Sequence, residues 1–241
     1  MRITRIYYPH HLALDQMATL TDQAANHLRN VLRAEIGDVC VLFNGDGYEY
    51  HARIATLNKK EVQVQITENI LCSRQSPLGI HLGQGISRGE KMDWVIQKST
   101  ELGVRDITPL ITERCNVRLD TERWEKKRQH WQAVAISACE QSGRTDLVTI
   151  HRPQLLSIWL QTTFSGMRIM LDPQASKNIK HLVDPTAIQL LIGSEGGLSE
   201  AEIQHATTAG FMGIQLGSRI LRSETAPLAV ISILQHLFGD L

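Results

Sequence analysis

The stretch from Leu190 to Pro227 constrains this chain more than any other. A largely apolar run, Ile188 to Ile192, has the length of a buried strand and stops at Gly193. Glu195, Gly196 and Gly197 follow. Ser199 and Glu202 then carry the Ser-x-x-Glu spacing of a capping box, which starts a helix. A second apolar run, Phe211 to Leu216, stops at Gly217 and leads into Arg219, Ile220, Leu221, Arg222 and Glu224. Pro227 falls in the first turn of a last helix, where its missing N–H is tolerated. Two strands thus end in glycine loops at their carboxyl ends, the edge of an open α/β sheet where ligands bind.

Glycine permits a close approach to the backbone, so a small molecule resting on these loops would meet exposed N–H and C=O groups. Ordinary turns and helix caps would also use glycine. The two arginines and the glutamate beside the second loop favour a site.

Composition bounds the rest. With 241 residues, 42% hydrophobic and 21% charged, the chain can bury a core in one large or two modest domains. Lysine plus arginine equals aspartate plus glutamate at 25 each, so any nucleic-acid footprint must be local. The four cysteines, Cys40, Cys72, Cys115 and Cys139, lack metal or redox spacing, which fits a reduced cytoplasmic setting. No signal peptide and no membrane span are expected, and the ten histidines form no metal motif, so no metal is expected.

Residues 1–70 read mainly as short strands: Arg2–Tyr8, Val39–Phe43, Tyr48–Leu57 and Val62–Ile70, with Gly45-Asp46-Gly47 as a hairpin turn. One helix, near Thr21–Leu32, is expected to bury Ala24, Leu28, Val31 and Leu32 on one face and to present His27, Arg29 and Arg33 on the other. Strands closing around one helix predict a small barrel. Seven basic residues stand against eight acidic ones in this span, so it carries no strong electrostatic footprint, and Arg29 and Arg33 also fit a merely solvated face.

Cys72–Pro77 reads as a linker. Beyond it strands alternate with helices: Ile80–Ile86, helix Glu90–Leu102, Ile107–Ile111, helix Arg123–Gln141, Leu147–Ile150 and Met167–Leu171. Such alternation predicts a parallel sheet with helices on both faces. Ser87 and Glu90 give a second capping-box start, and Gly103 a helix stop. Gly83, Gly85 and Gly89 have the wrong spacing for a dinucleotide fingerprint, and a tight strand-to-helix turn accounts for them. Between residues 114 and 128, six basic residues outnumber three acidic ones, with Trp124 and Trp131 nearby. That segment would suit phosphates or a stacked base, or equally a solvated helix face with its tryptophans in a core or a dimer interface.

GSEGGLS (193–199) followed by LGSRILRSETA (216–226) resembles the SPOUT class of knotted methyltransferases, and within it the family that methylates N3 of a uridine in 16S ribosomal RNA. KMDWVIQKSTELGVRDITPL, ERCNVRLDTERW, ACEQSGRTDL and HLRNVLR resemble the same family in order, so the likeness covers nearly the whole chain. Ser194 stands where the family pattern has Pro. RILRSETA separates this family from the 2′-O-ribose branch of the class.

The resemblance implies an α/β fold: a PUA-like β-barrel RNA-binding domain over 1–71, and a SPOUT domain over 78–241 with a trefoil knot made by the two glycine loops and the last helix. It implies S-adenosyl-L-methionine as cofactor, 16S rRNA in the small ribosomal subunit as substrate, and a homodimer. On this reading the cofactor rests on Leu171, Gly193, Glu195, Gly196, Gly197, Leu216, Gly217, Ile220, Leu221, Thr225 and Ala226. RNA is held by His27, Arg29, Arg33, Lys98, Arg114 and Arg118.

The acceptor nitrogen is protonated at neutral pH, so a group must take the proton or stabilise the uridine anion. Arg222 or Arg144 suits the anion; Glu224, Glu140 or Glu195 suits the proton. The residues alone do not choose. A 2′-O-ribose methyltransferase, whose product resists alkali, and a catalytically silent RNA-binding protein, which would not bind the cofactor, are the other readings.

Overall fold

The computed structural model describes residues 3–115, 117 and 120–241. They divide into two compact units, Met1–Gln75 with Cys139–Leu147, and Ser76–Ala138 with Val148–Leu241.

The first unit holds β1 (Thr4–Tyr7), β2 (Met17–Thr19), α1 (Asp22–Asn26), β3 (Val39–Phe43), β4 (Tyr48–Leu57) and β5 (Val62–Leu71). They form a five-stranded sheet in the order β1-β3-β4-β5-β2, parallel only between β1 and β3. Period-two alternation in β5 sends Val62, Val64 and Ile66 into a core with Ile6, Leu42, Ala52 and Ile54. The β3–β4 turn is closed by Asp46, whose carboxylate accepts from the Tyr48 amide at 3.0 Å and the Tyr50 hydroxyl at 2.7 Å. Met17–Thr19 carries no strand signal of its own; it is recruited by pairing with β5.

The expected helix over Thr21–Leu32 is corrected. The α-helix ends at Asn26 and continues as a π-helical turn, His27–Val31, with the Leu32 amide donating to the His27 carbonyl. The wider i→i+5 turn breaks the 3.6-residue periodicity. Leu28 stays buried, but Val31 is 64% exposed and Leu32 43%. Arg33, at φ +52°, turns the chain out of the helix.

The second unit holds β6 (Gly79–Gly85), α2 (Lys91–Glu101), β7 (Asp106–Ile111), α3 (Thr121–Ser142, whose last turn belongs to the first unit), β8 (Thr149–Ile150), β9 (Gln154–Leu155), α4 (Leu156–Trp159), β10 (Met167–Leu171), β11 (Ala187–Ile192), α5 (Glu200–Thr208), β12 (Met212–Ile214) and α6 (Thr225–Phe238). The strands make a parallel sheet in the order β12-β10-β11-β6-β7-β8, with β9 beside β7. Its central strands β11 and β7 are buried except at their ends, as expected of a parallel sheet covered on both faces. Because β10 lies between β11 and β12, three strand ends open side by side.

The β6 glycines are set by close approach. A Cβ on Gly83 would stand 2.3 Å from Trp159 Cη2, and one on Gly85 would stand 2.3 Å from the Ser194 amide nitrogen. These glycines let α4 and the loop after β11 press onto the sheet. The capping box at Ser199 forms: its hydroxyl accepts from the Glu202 amide at 3.2 Å, and the Glu202 carboxylate accepts from the Ser199 amide at 2.9 Å. The one expected at Ser87 does not. α2 starts at Lys91 with no side-chain cap, because Gly89, at φ +61°, turns the chain between Ser87 and Glu90. The Ser87 hydroxyl donates instead to Ser223 Oγ at 3.3 Å.

Candidate functional site

The carboxyl ends of β10, β11 and β12 border a cleft of about 810 Å³ within the second unit. That volume lies in the range of small-molecule sites. Leu171 and Asp172–Gln174 form one wall, the Gly193–Leu198 loop another, and Leu216, Gly217 and Arg219–Ser223 a third. Of the residues expected from sequence, Leu171, Gly193, Glu195, Gly196, Gly197, Leu216, Gly217, Ile220, Leu221, Arg222 and Ala226 all meet here. Thr225 is absent from the lining; its amide donates to the Arg222 carbonyl at 2.9 Å and starts α6.

The lining suits a flat, polar-edged ligand with an apolar body. Gly197 and Gly217 hold φ of +71° and +69°, and nothing lies within 4 Å of where a Cβ would stand on either. Both therefore offer bare backbone to the cleft. Leu216, Ile220 and Leu221 supply apolar surface, and Ile220 is 85% exposed, a large side chain left for something to cover.

Charges around the cleft are arranged by Lys91, which sequence reasoning missed. Its ammonium lies 3.1 Å from Glu195 Oε1 and 3.5 Å from Glu224 Oε2. Glu224 is held further: its own backbone N–H, the Ser223 hydroxyl at 3.1 Å and Lys91 together keep its carboxyl below the usual range. Both carboxylates are thus occupied, and Arg222, exposed on the cleft wall, pairs with neither. Arg114, expected on RNA, lines the cleft and donates to the Gly196 carbonyl at 3.0 Å. Ser194, buried, lies 3.3 Å by its hydroxyl from Thr112 Oγ1 and ties the loop to the end of β7. Asp172, Pro173 and Gln174 were also missed, although the end of Met167–Leu171 was the signal that would have found them.

Other expected residues fall elsewhere. Glu140 and Arg144 belong to the first unit. Glu140 accepts from the Tyr7 amide at 2.9 Å, and burial pushes its carboxyl up; the Arg144 carbonyl accepts from Arg5 at 3.2 Å, and the Arg144 side chain is buried. Neither lines the cleft. His27 and Arg33 are exposed, and Arg29 donates to the Asn58 carbonyl. Lys98 pairs with Glu101 at 2.8 Å and lies over the Trp94 ring. Arg118 lies outside the described residues. Trp131 is only 2% exposed and donates to Asp93 at 3.1 Å, so it is a core residue and does not stack on a base. Arg123, Lys126 and Arg128 pair with Asp120, Glu122 and Glu125 along α3, the pattern of a solvated face. Among the described residues no group of histidine, cysteine or acidic side chains could hold a metal ion.

A ligand cleft at the strand ends of a parallel sheet is the layout of an α/β domain that binds a small molecule. Residues 74–235 match an RNA methyltransferase domain and residues 20–67 an RNA methyltransferase PUA domain. Ribosomal RNA small subunit methyltransferase E of Buchnera aphidicola subsp. Schizaphis graminum is 40% identical over 242 residues, covering 100% of this chain and 98% of that protein. The enzyme of the same name from Neisseria gonorrhoeae, solved with S-adenosyl methionine bound, is 38% identical, with a TM-score of 0.93 over 100% of both chains. A Legionella pneumophila methyltransferase, solved in complex with S-adenosylmethionine, is 42% identical, with a TM-score of 0.97 over 100% of both chains. The chain belongs to the ribosomal RNA small subunit methyltransferase E family.

Proposed function

We propose that this protein methylates N3 of a uridine in 16S rRNA of the small ribosomal subunit, with S-adenosyl-L-methionine as donor. The observation that carries the reading is the cleft, where bare glycine backbone and apolar side chains from two loops face one volume of about 810 Å³. When bound, S-adenosylmethionine supplies an electrophilic methyl group on a sulfonium.

The chain's own residues do the rest. The backbone of Gly193–Gly197 and Gly217 would offer donors and acceptors to the polar edges of the cofactor, and Leu216, Ile220 and Leu221 would give its adenine an apolar wall. Arg222, uncommitted to Glu195 or Glu224, stabilises the negative charge that spreads onto O2 and O4 as N3 loses its proton to solvent water, and the anion then takes the methyl group. The Glu224 carboxyl, held below the usual range by its own backbone N–H, the Ser223 hydroxyl and Lys91, is a poor proton acceptor, so the anion is stabilised by charge and not by proton transfer to that carboxylate. Placement of nitrogen against methyl contributes the remainder.

Residues 1–71 act as the RNA-binding domain, with its strands closed as a barrel and His27, Arg29 and Arg33 toward phosphates. Residues 78–241 form the catalytic domain, knotted through the two glycine loops and α6. The active form is a homodimer working in the cytoplasm. No helix among the described residues is long and apolar enough to cross a membrane.

Nucleoside mass spectrometry of 16S rRNA from a strain lacking the protein tests the reading. Loss of one 3-methyluridine, restored by the purified protein acting on small subunits, supports it. An unchanged 3-methyluridine content, or loss of an alkali-resistant methylated product instead, overturns it.

A further inference from the structure

We propose that Lys91 is a positioning residue that latches the two cofactor loops to each other, an inference that rests on reading the cleft as the S-adenosylmethionine site. Lys91 is the first residue of α2, Glu195 lies in the loop after β11, and Glu224 precedes α6. Two loops that each lie more than a hundred residues along the chain from Lys91 thus converge on its ammonium, at 3.1 Å and 3.5 Å. A hydroxyl relay backs the same point. Ser87, just before α2, donates to Ser223 at 3.3 Å, and Ser223 donates to Glu224 Oε2, the oxygen nearest Lys91, at 3.1 Å.

The placement runs against local preference. The first turn of a helix carries partial positive charge and favours acids, so a lysine there is mildly unfavourable. α2 also begins without a side-chain cap. A local rule broken at a cleft wall marks a residue kept for its site.

Electrostatics state what the latch does. Glu195 and Glu224, drawn to the same point beside the cleft, would repel each other, and the shared ammonium turns that repulsion into a bridge. All three side chains are partly exposed, so each pair by itself adds little to folding stability. The consequence falls on loop geometry, and hence on cofactor affinity. Lys91 neither donates to the acceptor base nor takes its proton; it fixes the loops that hold the donor.

Isothermal titration of S-adenosylmethionine into Lys91→Met and Lys91→Arg, each in the wild-type and in a Glu195→Gln/Glu224→Gln background, tests the latch. Lys91→Met is expected to weaken cofactor binding about tenfold in the wild-type background and less than about threefold where the carboxylates are amides, the mark of direct coupling. Lys91→Arg should retain most of the affinity. In steady state, KM for the cofactor should rise more than kcat falls, with the melting temperature nearly constant. Should Lys91→Met fail to fold, Lys91→Gln carries the same expectation. An unchanged affinity, or an equal loss in both backgrounds, overturns the latch. A wild-type protein that does not bind S-adenosylmethionine overturns the cofactor reading instead.

Discussion

Glu195 gives its carboxylate to Lys91 and not to Arg222: the Lys91 ammonium is 3.1 Å from Glu195 Oε1. Arg222 is therefore left on the cleft wall without a carboxylate to neutralise it. Arginine alone offers a planar fork of donors that stays charged at every working pH. Arg222→Lys keeps the charge and loses the fork. We expect kcat to fall on the order of a hundredfold, the scale for removing one oriented donor, with cofactor affinity nearly intact by calorimetry. A parallel fall in cofactor affinity would make Arg222 a prop of the loop.

Gly196→Val should abolish cofactor binding in a folded protein. A Cβ at Gly196 would stand 2.9 Å from Arg114 Cβ, and the branched side chain would move the loop at the Arg114 contact that holds it. Calorimetry beside a circular-dichroism melt checks this. Wild-type affinity in a folded variant would reduce the loop to a structural turn.

Ser199→Ala removes the acceptor of the Glu202 amide and breaks the capping box. Denaturant unfolding should show a loss of about 1 kcal/mol, the usual worth of such a cap, with an unchanged m-value.

The His81 imidazole lies 2.8 Å from Thr108 Oγ1 and packs edge-on to Trp159. Burial pushes it down to about 4, against the pull of Asp106 and with His151 adding to the depression. Above about pH 6.5 the histidine is neutral in both states. Between 6.5 and 4 the unfolded chain takes up a proton that the folded chain refuses, so stability falls as pH falls through that window. The contribution is on the order of 3 kcal/mol. His81→Gln should show a smaller drop in melting temperature from pH 7 to pH 4.5 than the wild type. Parallel curves would remove His81 from the acid response.

Arg29→Ala/Arg33→Ala tests the first unit. If both arginines meet phosphates, the slope of log affinity against log salt for a 16S rRNA fragment should shrink by about 2. An unchanged slope would leave them as a solvated face.

Much of the fold is written in local pattern. The strands Tyr48–Leu57 and Met167–Leu171 fall where β-branched and apolar runs put them, and the α5 cap falls on Ser199 and Glu202. Those signals are short-range, carried by side-chain alternation and by one hydroxyl reaching the amide three residues on. The glycine loops were legible for the same reason: glycine at a strand end answers a backbone need that no neighbour supplies.

What the sequence could not determine is what depends on partners distant in the chain. Val31 and Leu32 fit the apolar face of an α-helix, and only the π turn after Asn26 sends them to solvent. Ser87 has the spacing of a cap, yet its hydroxyl finds Ser223, 136 residues away. Nothing in residues 139–147 announces that they pack with the first unit. Lys91 reads as an ordinary surface lysine until β6 and β11 pair and bring Glu195 to it. Local chemistry fixes which segments become strands, caps and loops. Which charge meets which carboxylate is decided by the strand order, because only the assembled sheet sets those distances.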